Sequence, residues 1–435
     1  MDIHLQYGRN GIGINLPEPI VPTIIRKPVM PVLDDIEQAV SNALAEPIAC
    51  RSLVNIARNA KSVAIAVCDI TRPVPNGAFL RPLVETLMQA GVELNQIKIL
   101  IATGLHRPNI GSELSEVIGD SWIEENVEII NHDARDDQQH VLVGYTKKRN
   151  TPVRLDKVFV EADLRIVSGL VEPHFMAGYS GGRKVIAPGL AHAETITTFH
   201  NARFMGDPLV ENCRLEGNPL HEEQLEIIEM LGGALAVNTV IDESRRLSYI
   251  NFGEIEESHA DAVNFVRKYC EIEMDKQYST VVTTSAGYPL DKTYYQTVKG
   301  MVGALGALRK GGRLIIVSEI SEGLGSPEYI ESQGRLLQMG ADAFMEMIGK
   351  QTRARVDEWQ TQMQLKAMAQ GSISLYSTGL RAEDTDLTGV ERIGSITDAV
   401  MTSVSELRDP AVAVIPEGPY VVPIYRNRDT LEAAA

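Results

Sequence analysis

The sequence predicts an α/β protein built of two α/β domains, with largely parallel sheets and a ligand cleft between them. Three observations lead there. The chain has 435 residues, more than one ordinary hydrophobic core serves, so two domains are the natural division. Short β-branched runs alternate with amphipathic stretches, the rhythm of parallel strands covered by helices. That rhythm occurs twice, over 62–171 and again from 279 onward. Hydrophobic residues make up 44% and charged residues 23%, the balance of a globular chain rather than a disordered one.

Each element follows from its local pattern. SVAIAVC (62–68) reads as a buried strand, because it is apolar, partly β-branched and uncharged after its first residue. FLRPLVETLMQAG (79–91) carries apolar residues at helical spacing and stops at Gly. IKILIATG (97–104), VEII (127–130) and LRIVSGLV (164–171) are the next strands. EIEESHADAVNFVRKYC (254–270) is a helix approaching the domain boundary, expected near 270–278. In the second set, STVVTTSAG (279–287) is a strand and DKTYYQTVKGMVGALGALRKGG (291–312) a helix with a Gly stop. RLIIVSEI (313–320), ISLYST (373–378) and AVAVIPEG (411–418) read as further strands. The expected domains are 1–272 and 273–404, with 405–430 packing back on the first. The tail RDTLEAAA reads as unstructured.

Composition excludes several function classes. There are 58 acidic against 41 basic residues, a formal net charge of −17. A nucleic-acid binder needs the opposite sign or a dense basic patch, and the longest basic run is Lys147-Lys148-Arg149. The N-terminal stretch has no apolar core of signal-peptide length, and no segment nears the roughly 18 apolar residues of a membrane span. Cys50, Cys68, Cys213 and Cys270 form no CxxC pair, so neither a zinc knuckle nor a disulfide framework is indicated. A reducing cytoplasm is the expected home.

The stretch VEPHFMAGYSGGRKVIAPGL (171–190) looks like a phosphate loop and departs from one. The spacing from Gly178 to Gly182 is wrong for a Walker A loop, and no Ser or Thr follows Lys184 to hold Mg²⁺. Elsewhere, Gly11-Ile12-Gly13 lacks the third Gly of a dinucleotide fingerprint. Ser180-Gly181-Gly182 can still let backbone amides approach an anion. His106, in ATGLHRP, and His174, in GLVEPHF, each follow an expected strand, where parallel sheets place their ligands. DITRPVPN (69–76) puts Asp69, Thr71 and Arg72 at another strand end, and arginine suits a carboxylate or phosphate. In GYPLDKTYYQTVKG (287–300), Tyr295 and Lys299 share a helix face, with Gln296 beside them. Taken singly, each segment reads equally as a turn, a surface loop or an ordinary amphipathic helix. Together they suit an anionic small molecule and proton transfer.

The joint pattern resembles the nickel-dependent lactate racemase family. The segments that carry the resemblance are DITRPVP, GLHRP, EPHFMAGYSGGRKVIAPG, TTFHN, LEGNP, GYPLDKTYYQTVKG, EGLG and DEWQTQ. The resemblance implies a nickel-pincer nucleotide, a pyridinium-3-thioamide-5-thiocarboxylic acid mononucleotide, covalently tethered at Lys184. It implies His200 as the protein ligand of nickel, with Asp69, Thr71, Ser180, Gly181 and Gly182 near the cofactor and the glycines making room for it. His106 and His174 become the two acid/base residues. Arg72 becomes the carboxylate clamp, Gln296 and Lys299 hold substrate, and Tyr295 and Trp359 line the site. Core packing is an equal reading for Trp359.

The implied reaction is inversion at C2 of a 2-hydroxy acid by hydride transfer to and from the tethered group. The implied partners are the small 2-hydroxy acid and the enzymes that make the cofactor, with no nucleic acid and no membrane. The matched residues read the carboxylate and the hydroxyl but not the rest of the acid; Arg107 is a candidate for a second carboxylate. Two other classes compete: a non-catalytic carrier of the pincer nucleotide, and a nucleotide-dependent enzyme of another kind. Paired histidine bases argue against the first and the failed Walker A pattern against the second.

Overall fold

A computed structural model describes residues 2–425. The chain divides into two compact units. The first comprises Val29–Phe199 and Arg214–Lys268; the second comprises Met1–Pro28, His200–Cys213 and the chain from Tyr269 onward. The first unit holds a six-stranded sheet in the spatial order Leu247–Glu254, Leu235–Ile241, Leu164–Leu170, Val63–Cys68, Ile97–Ala102, Glu128–Asn131. All neighbours pair in parallel except Leu247–Glu254, which runs antiparallel to Leu235–Ile241. Val63–Cys68 lies between two parallel partners, with Val63 opposite both Ile97 and Leu164. That is why its sequence is apolar on both faces. The helix Leu80–Gln89 buries Leu80, Leu83, Val84 and Leu87, one helical stripe, into the same core as Ile65, Val67, Ile99 and Ile101.

From Val63–Cys68 the chain builds outward through Ile97–Ala102 to Glu128–Asn131. It then returns to the other side of Val63–Cys68 with Leu164–Leu170. The order therefore reverses between Val63–Cys68 and Leu164–Leu170, the place where open parallel sheets bind ligands at the carboxyl ends of their strands.

The second unit has its own six-stranded sheet, parallel throughout, in the order Glu391–Ile393, Gly371–Tyr376, Leu308–Val317, Tyr278–Thr284, Ala411–Ile415, Val21–Ile24. Its order reverses between Tyr278–Thr284 and Ala411–Ile415. The helix Tyr294–Gly303 follows Tyr278–Thr284, and the Thr293 side chain caps it by accepting the Gln296 N–H. Among the described residues, no helix is long and apolar enough to cross a membrane.

The structure departs from the sequence reading in three places. Residues 405–425 do not pack back on the first unit, because Ala411–Ile415 joins the second sheet beside Tyr278–Thr284 and buries Val412, Ala413, Val414 and Ile415 completely. Residues 426–430 and the tail RDTLEAAA lie outside the described residues. Met1–Pro28 and His200–Cys213 also belong to the second unit rather than to a continuous 1–272 domain. Val21–Ile24 pairs with Ala411–Ile415, and the helix Glu358–Gln370 holds the second segment through Gln362 Nε2, which donates to Ala202 O at 3.0 Å. Finally, the helix expected over 291–312 ends at Gly303 and a strand begins at Leu308. In the turn between them, a side chain at Gly306 would overlap the Pro423 carbonyl.

Candidate active site

Three neighbouring strands of the first unit deliver the site residues from their carboxyl ends. Asp69, Thr71 and Arg72 follow Val63–Cys68, His106 follows Ile97–Ala102, and Glu172 and His174 follow Leu164–Leu170. The Asp69 carboxylate lies 2.7 Å from His106 Nδ1, and its other oxygen accepts the Thr71 hydroxyl at 2.6 Å. Asp69 is 4% exposed, whereas the His106 side chain is 61% exposed. A buried carboxylate thus orients an accessible ring. The loops are braced: Ile70 N–H donates to Asn109 Oδ1 at 3.0 Å, and His106 N–H donates to Thr103 O at 3.0 Å. A carboxylate on Nδ1 keeps the proton there and leaves Nε2 as the basic atom.

His174 has the opposite arrangement. It sits in the short antiparallel pair Pro173–His174 with Gly178–Tyr179, and its ring stacks on Phe175. Its Nδ1 accepts the Met176 and Ala177 N–H groups at 3.3 and 3.1 Å. A neutral ring accepting at Nδ1 carries its proton on Nε2. The two histidines therefore present one base and one donor.

Arg72, the expected carboxylate clamp, already forms an ion pair with Glu172. Glu172 is in turn fixed by Ser180, whose N–H donates to Glu172 O at 2.9 Å and whose hydroxyl accepts the Glu172 N–H at 3.1 Å. The Ser180 hydroxyl spends its own proton on Leu170 O at 2.6 Å. Both its donor and acceptor capacity serve the loop.

A side chain at either loop glycine would meet the fold. A Cβ at Gly181, where φ is +78°, would lie 2.8 Å from Val171 Cγ2. One at Gly182, where φ is +47°, would lie 3.0 Å from the His259 ring. These two glycines serve close packing and left-handed backbone at the turn into the short helix Arg183–Ile186. Arg183 is 1% exposed, donates to Ala177 O and Tyr179 O at 2.9 and 3.1 Å, and is pulled down to about 9 by burial. Lys184, the next residue, is half-buried. The charges of this region meet at Cys68, whose thiol burial pushes up to about 11; Arg72 and Lys184 oppose that rise and Asp69 adds to it. Lys184 and Arg72 therefore act on the same strand end that carries Asp69.

In the second unit, the structure brings His200, Tyr295 and Trp359 together. His200 is 8% exposed, and its ring centroid lies 5.0 Å from that of Trp359. Trp359 is 9% exposed, so it packs as a core residue while it touches a proposed site residue. The Tyr295 hydroxyl bonds the side chains of Asp357 and Trp359, and burial raises it well above its usual range. Gln360 Nε2 donates to Tyr295 O at 2.6 Å. Gln296 Oε1 is buried and has no partner among the described residues. Lys299 is one turn on along the same helix.

Sequence reasoning missed Glu172 and Asp357, and it did not foresee the contact of Asp69 with His106. A carboxylate two positions before His174 was the available signal for Glu172. Nothing local marks Asp69 as the partner of a histidine on another strand. Arg107 is already held by Glu113, with two hydrogen bonds of 2.6 and 2.7 Å.

Known proteins show the same organisation. Residues 7–211 match the family description Lactate racemase N-terminal domain, and residues 274–422 match Lactate racemase C-terminal domain. The lactate racemase of Thermoanaerobacterium thermosaccharolyticum is 29% identical over 97% of this chain and 99% of its own. That of Lactiplantibacillus plantarum is 32% identical over 67% of this chain and 68% of its own. The apoprotein structure of the Thermoanaerobacterium thermosaccharolyticum lactate racemase superposes with a TM-score of 0.90 at 28% identity, over 98% of this chain and 100% of that one. A Thermotoga maritima protein shares the fold, with a TM-score of 0.65 at 16% identity over 90% of this chain and 97% of that one. Two matched domains in sequence order and two relatives sharing most of their length place this chain in the lactate racemase family, as an isomerase of the racemase class.

Proposed function

We propose that this protein inverts C2 of a 2-hydroxy acid, lactate or a close relative, using a nickel-pincer nucleotide tethered at Lys184. The observation that carries the reading is the pair His106 and His174, which follow the two strands flanking Val63–Cys68 and have opposite proton placement. The residues present fit the cofactor. Lys184 acts on the strand end that bears Asp69 and Arg72, and a buried imidazole, His200, is a suitable nitrogen ligand for nickel. When bound, the group would supply a reversible acceptor for the C2 hydrogen.

The chain's own residues handle the proton and the carboxylate. His106 Nε2 takes the hydroxyl proton, and the buried Asp69 carboxylate stabilises the resulting imidazolium. The neutral His174 ring hydrogen-bonds the substrate oxygen through Nε2–H, and it can give that proton up only as an imidazolium, with Nδ1 also protonated. Running the reaction from the mirror-image acid requires His174 to accept at Nε2, which means releasing Nδ1 from the Met176 and Ala177 amides. Arg72 holds the substrate carboxylate while sharing its guanidinium with Glu172. Gln296, with an unpartnered buried oxygen, and Lys299, on one helix, are the further substrate-holding residues of this reading. The four cysteines are free thiols, in keeping with a reducing cytoplasm.

The test is to produce the protein beside the enzymes that make the cofactor. Intact mass, nickel content and chiral turnover of a panel of 2-hydroxy acids are then measured. Wild type gains covalent mass and nickel; Lys184→Ala gains no covalent mass; His200→Ala loses nickel. His106→Ala and His174→Ala keep the added mass and stop racemisation. Loaded wild type that racemises no acid on the panel would replace this reading with that of a carrier.

A further inference from the structure

The segment LEGNP (215–219) has no role so far in the racemase reading, yet its asparagine is committed at both ends of its side chain. Asn218 is fully buried. Its Oδ1 accepts the Leu220 N–H at 3.0 Å and the His221 N–H at 3.5 Å, which caps the helix Pro219–Leu231. Its Nδ2 donates to Met176 O at 2.8 Å and to Arg214 O at 3.1 Å. Turning the amide over would set donors against donors and oxygens against oxygens, so its partners fix which atom is which.

The bond to Met176 O bears on His174. The Met176 carbonyl and the Ala177 N–H are the two ends of one peptide group. That group is trans, so its two ends point in opposite directions from one rigid plane. The Ala177 N–H donates to His174 Nδ1 at 3.1 Å. Asn218 thus grips one end of the peptide whose other end meets the ring. The next carbonyl, Ala177 O, is held by Arg183 Nη2 at 2.9 Å. With successive carbonyls pinned, the Ala177 N–H is left one direction to point. The backbone before Asn218 packs against the same turn: His174 pairs with Gly178, and a Cβ at Gly178, where φ is +75°, would overlap the Arg214 carbonyl.

We propose that Asn218 is the positioning residue of His174: by holding the Met176 carbonyl it aims the Ala177 N–H at Nδ1, keeping Nδ1 an acceptor and the ring proton on Nε2. The inference rests on the reading of His174 as an acid/base residue. Asn218 touches neither substrate nor cofactor in this role; it acts through one peptide, as Asp69 acts directly on His106.

The probe is the ring itself, read by ¹⁵N NMR of the unloaded full chain labelled at histidine, with the His174 signal assigned by its loss in His174→Gln. In wild type, Nδ1 should be the unprotonated acceptor and the Ala177 amide should exchange slowly; a protonated Nδ1 overturns the proposal. Asn218→Ser keeps a capping oxygen for the helix but has no amide to reach Met176 O. It should raise the pH at which His174 titrates by about half to one unit, because a hydrogen bond to the neutral ring is lost. It should also speed exchange of the Ala177 N–H by about tenfold or more. Asn218→Asp, of the same size and also a cap, sets an oxygen against Met176 O and should act alike; it takes the place of the Ser variant if that one does not fold. A lowered Tm with neither the His174 titration nor the Ala177 exchange altered overturns the proposal, because that is the result of a merely structural asparagine. In cofactor-loaded enzyme, the limb of the kcat/KM profile that belongs to His174 should move with the ring. A ring that shifts under a fixed profile refutes His174 as an acid/base residue, and leaves Asn218 as the residue that orients it.

Discussion

Replacing Asp69 by Asn changes one atom and should reverse the proton placement on His106. The Thr71 hydroxyl donates to one Asp69 oxygen at 2.6 Å, so an Asn there keeps its carbonyl toward Thr71. Its NH₂ group then faces His106 Nδ1 at the position of the oxygen now 2.7 Å away. A donor at that point obliges Nδ1 to accept and moves the ring proton to Nε2, the atom that must act as base. The lost charge-assisted hydrogen bond is worth about 1.5–3 kcal/mol, or roughly tenfold to 150-fold in rate. Removal of general base catalysis carries the loss to about 10²–10⁴ in kcat, with KM little changed. Chiral chromatography of the product from cofactor-loaded enzyme measures it, with intact mass as the loading control. Adding Thr71→Val should restore part of the rate, because the amide can then turn its oxygen toward Nδ1. A kcat within about threefold of wild type would refute the base assignment. Loss of loading with intact turnover per loaded molecule would instead place Asp69 on the cofactor.

Acid should destabilise the first unit through His132, whose ring is pushed down to about 3 by burial, with the His140 and His192 rings adding. The unfolded ring titrates near 6.5, so from there down to about 3 the unfolded chain binds a proton that the folded chain refuses. Stability present above pH 6.5 therefore falls by about 1.4 kcal/mol per pH unit from this group, and urea unfolding of His132→Asn against wild type should lack that increment. Gly181→Ala sets a methyl 2.8 Å from Val171 Cγ2 at a φ of +78° and should cost about 1–3 kcal/mol, whereas Gly334→Ala, in a helix with open space around it, should gain about 0.5–1 kcal/mol. Equal melting temperatures for the two variants would contradict the packing role of Gly181. Glu172→Gln removes a negative charge from Arg72 and should lower KM for a 2-hydroxy acid several-fold; a higher KM would show that Glu172 orients the guanidinium.

Much of this protein was legible in its local patterns. Buried parallel strands are apolar on both faces, so VAIAVC, IKILIA and LRIVSGL announce themselves without reference to one another. The residues that follow them are placed at carboxyl ends by chain order alone, which is why Asp69, Arg72, His106 and His174 could be gathered as candidates. The helix at Tyr294–Gly303 was equally visible, but its end was not: the chain turns after Ala304 and enters a strand at Leu308, with Gly306 packed against the distant Pro423 carbonyl.

The tertiary structure decided what depends on partners far apart in sequence. It moved His200 into the unit of Trp359 and Tyr295, since the residues around it are held by the helix Glu358–Gln370. It gave Asp69 to His106 across two strands, and the Met176 and Ala177 amides to His174. It committed Arg183 and the loop glycines to packing. The kinds of residue available for proton transfer are written in the chain. Which ring nitrogen of His106 and of His174 carries the proton is set by the hydrogen bond each Nδ1 makes, and that bond exists only once the strands are aligned.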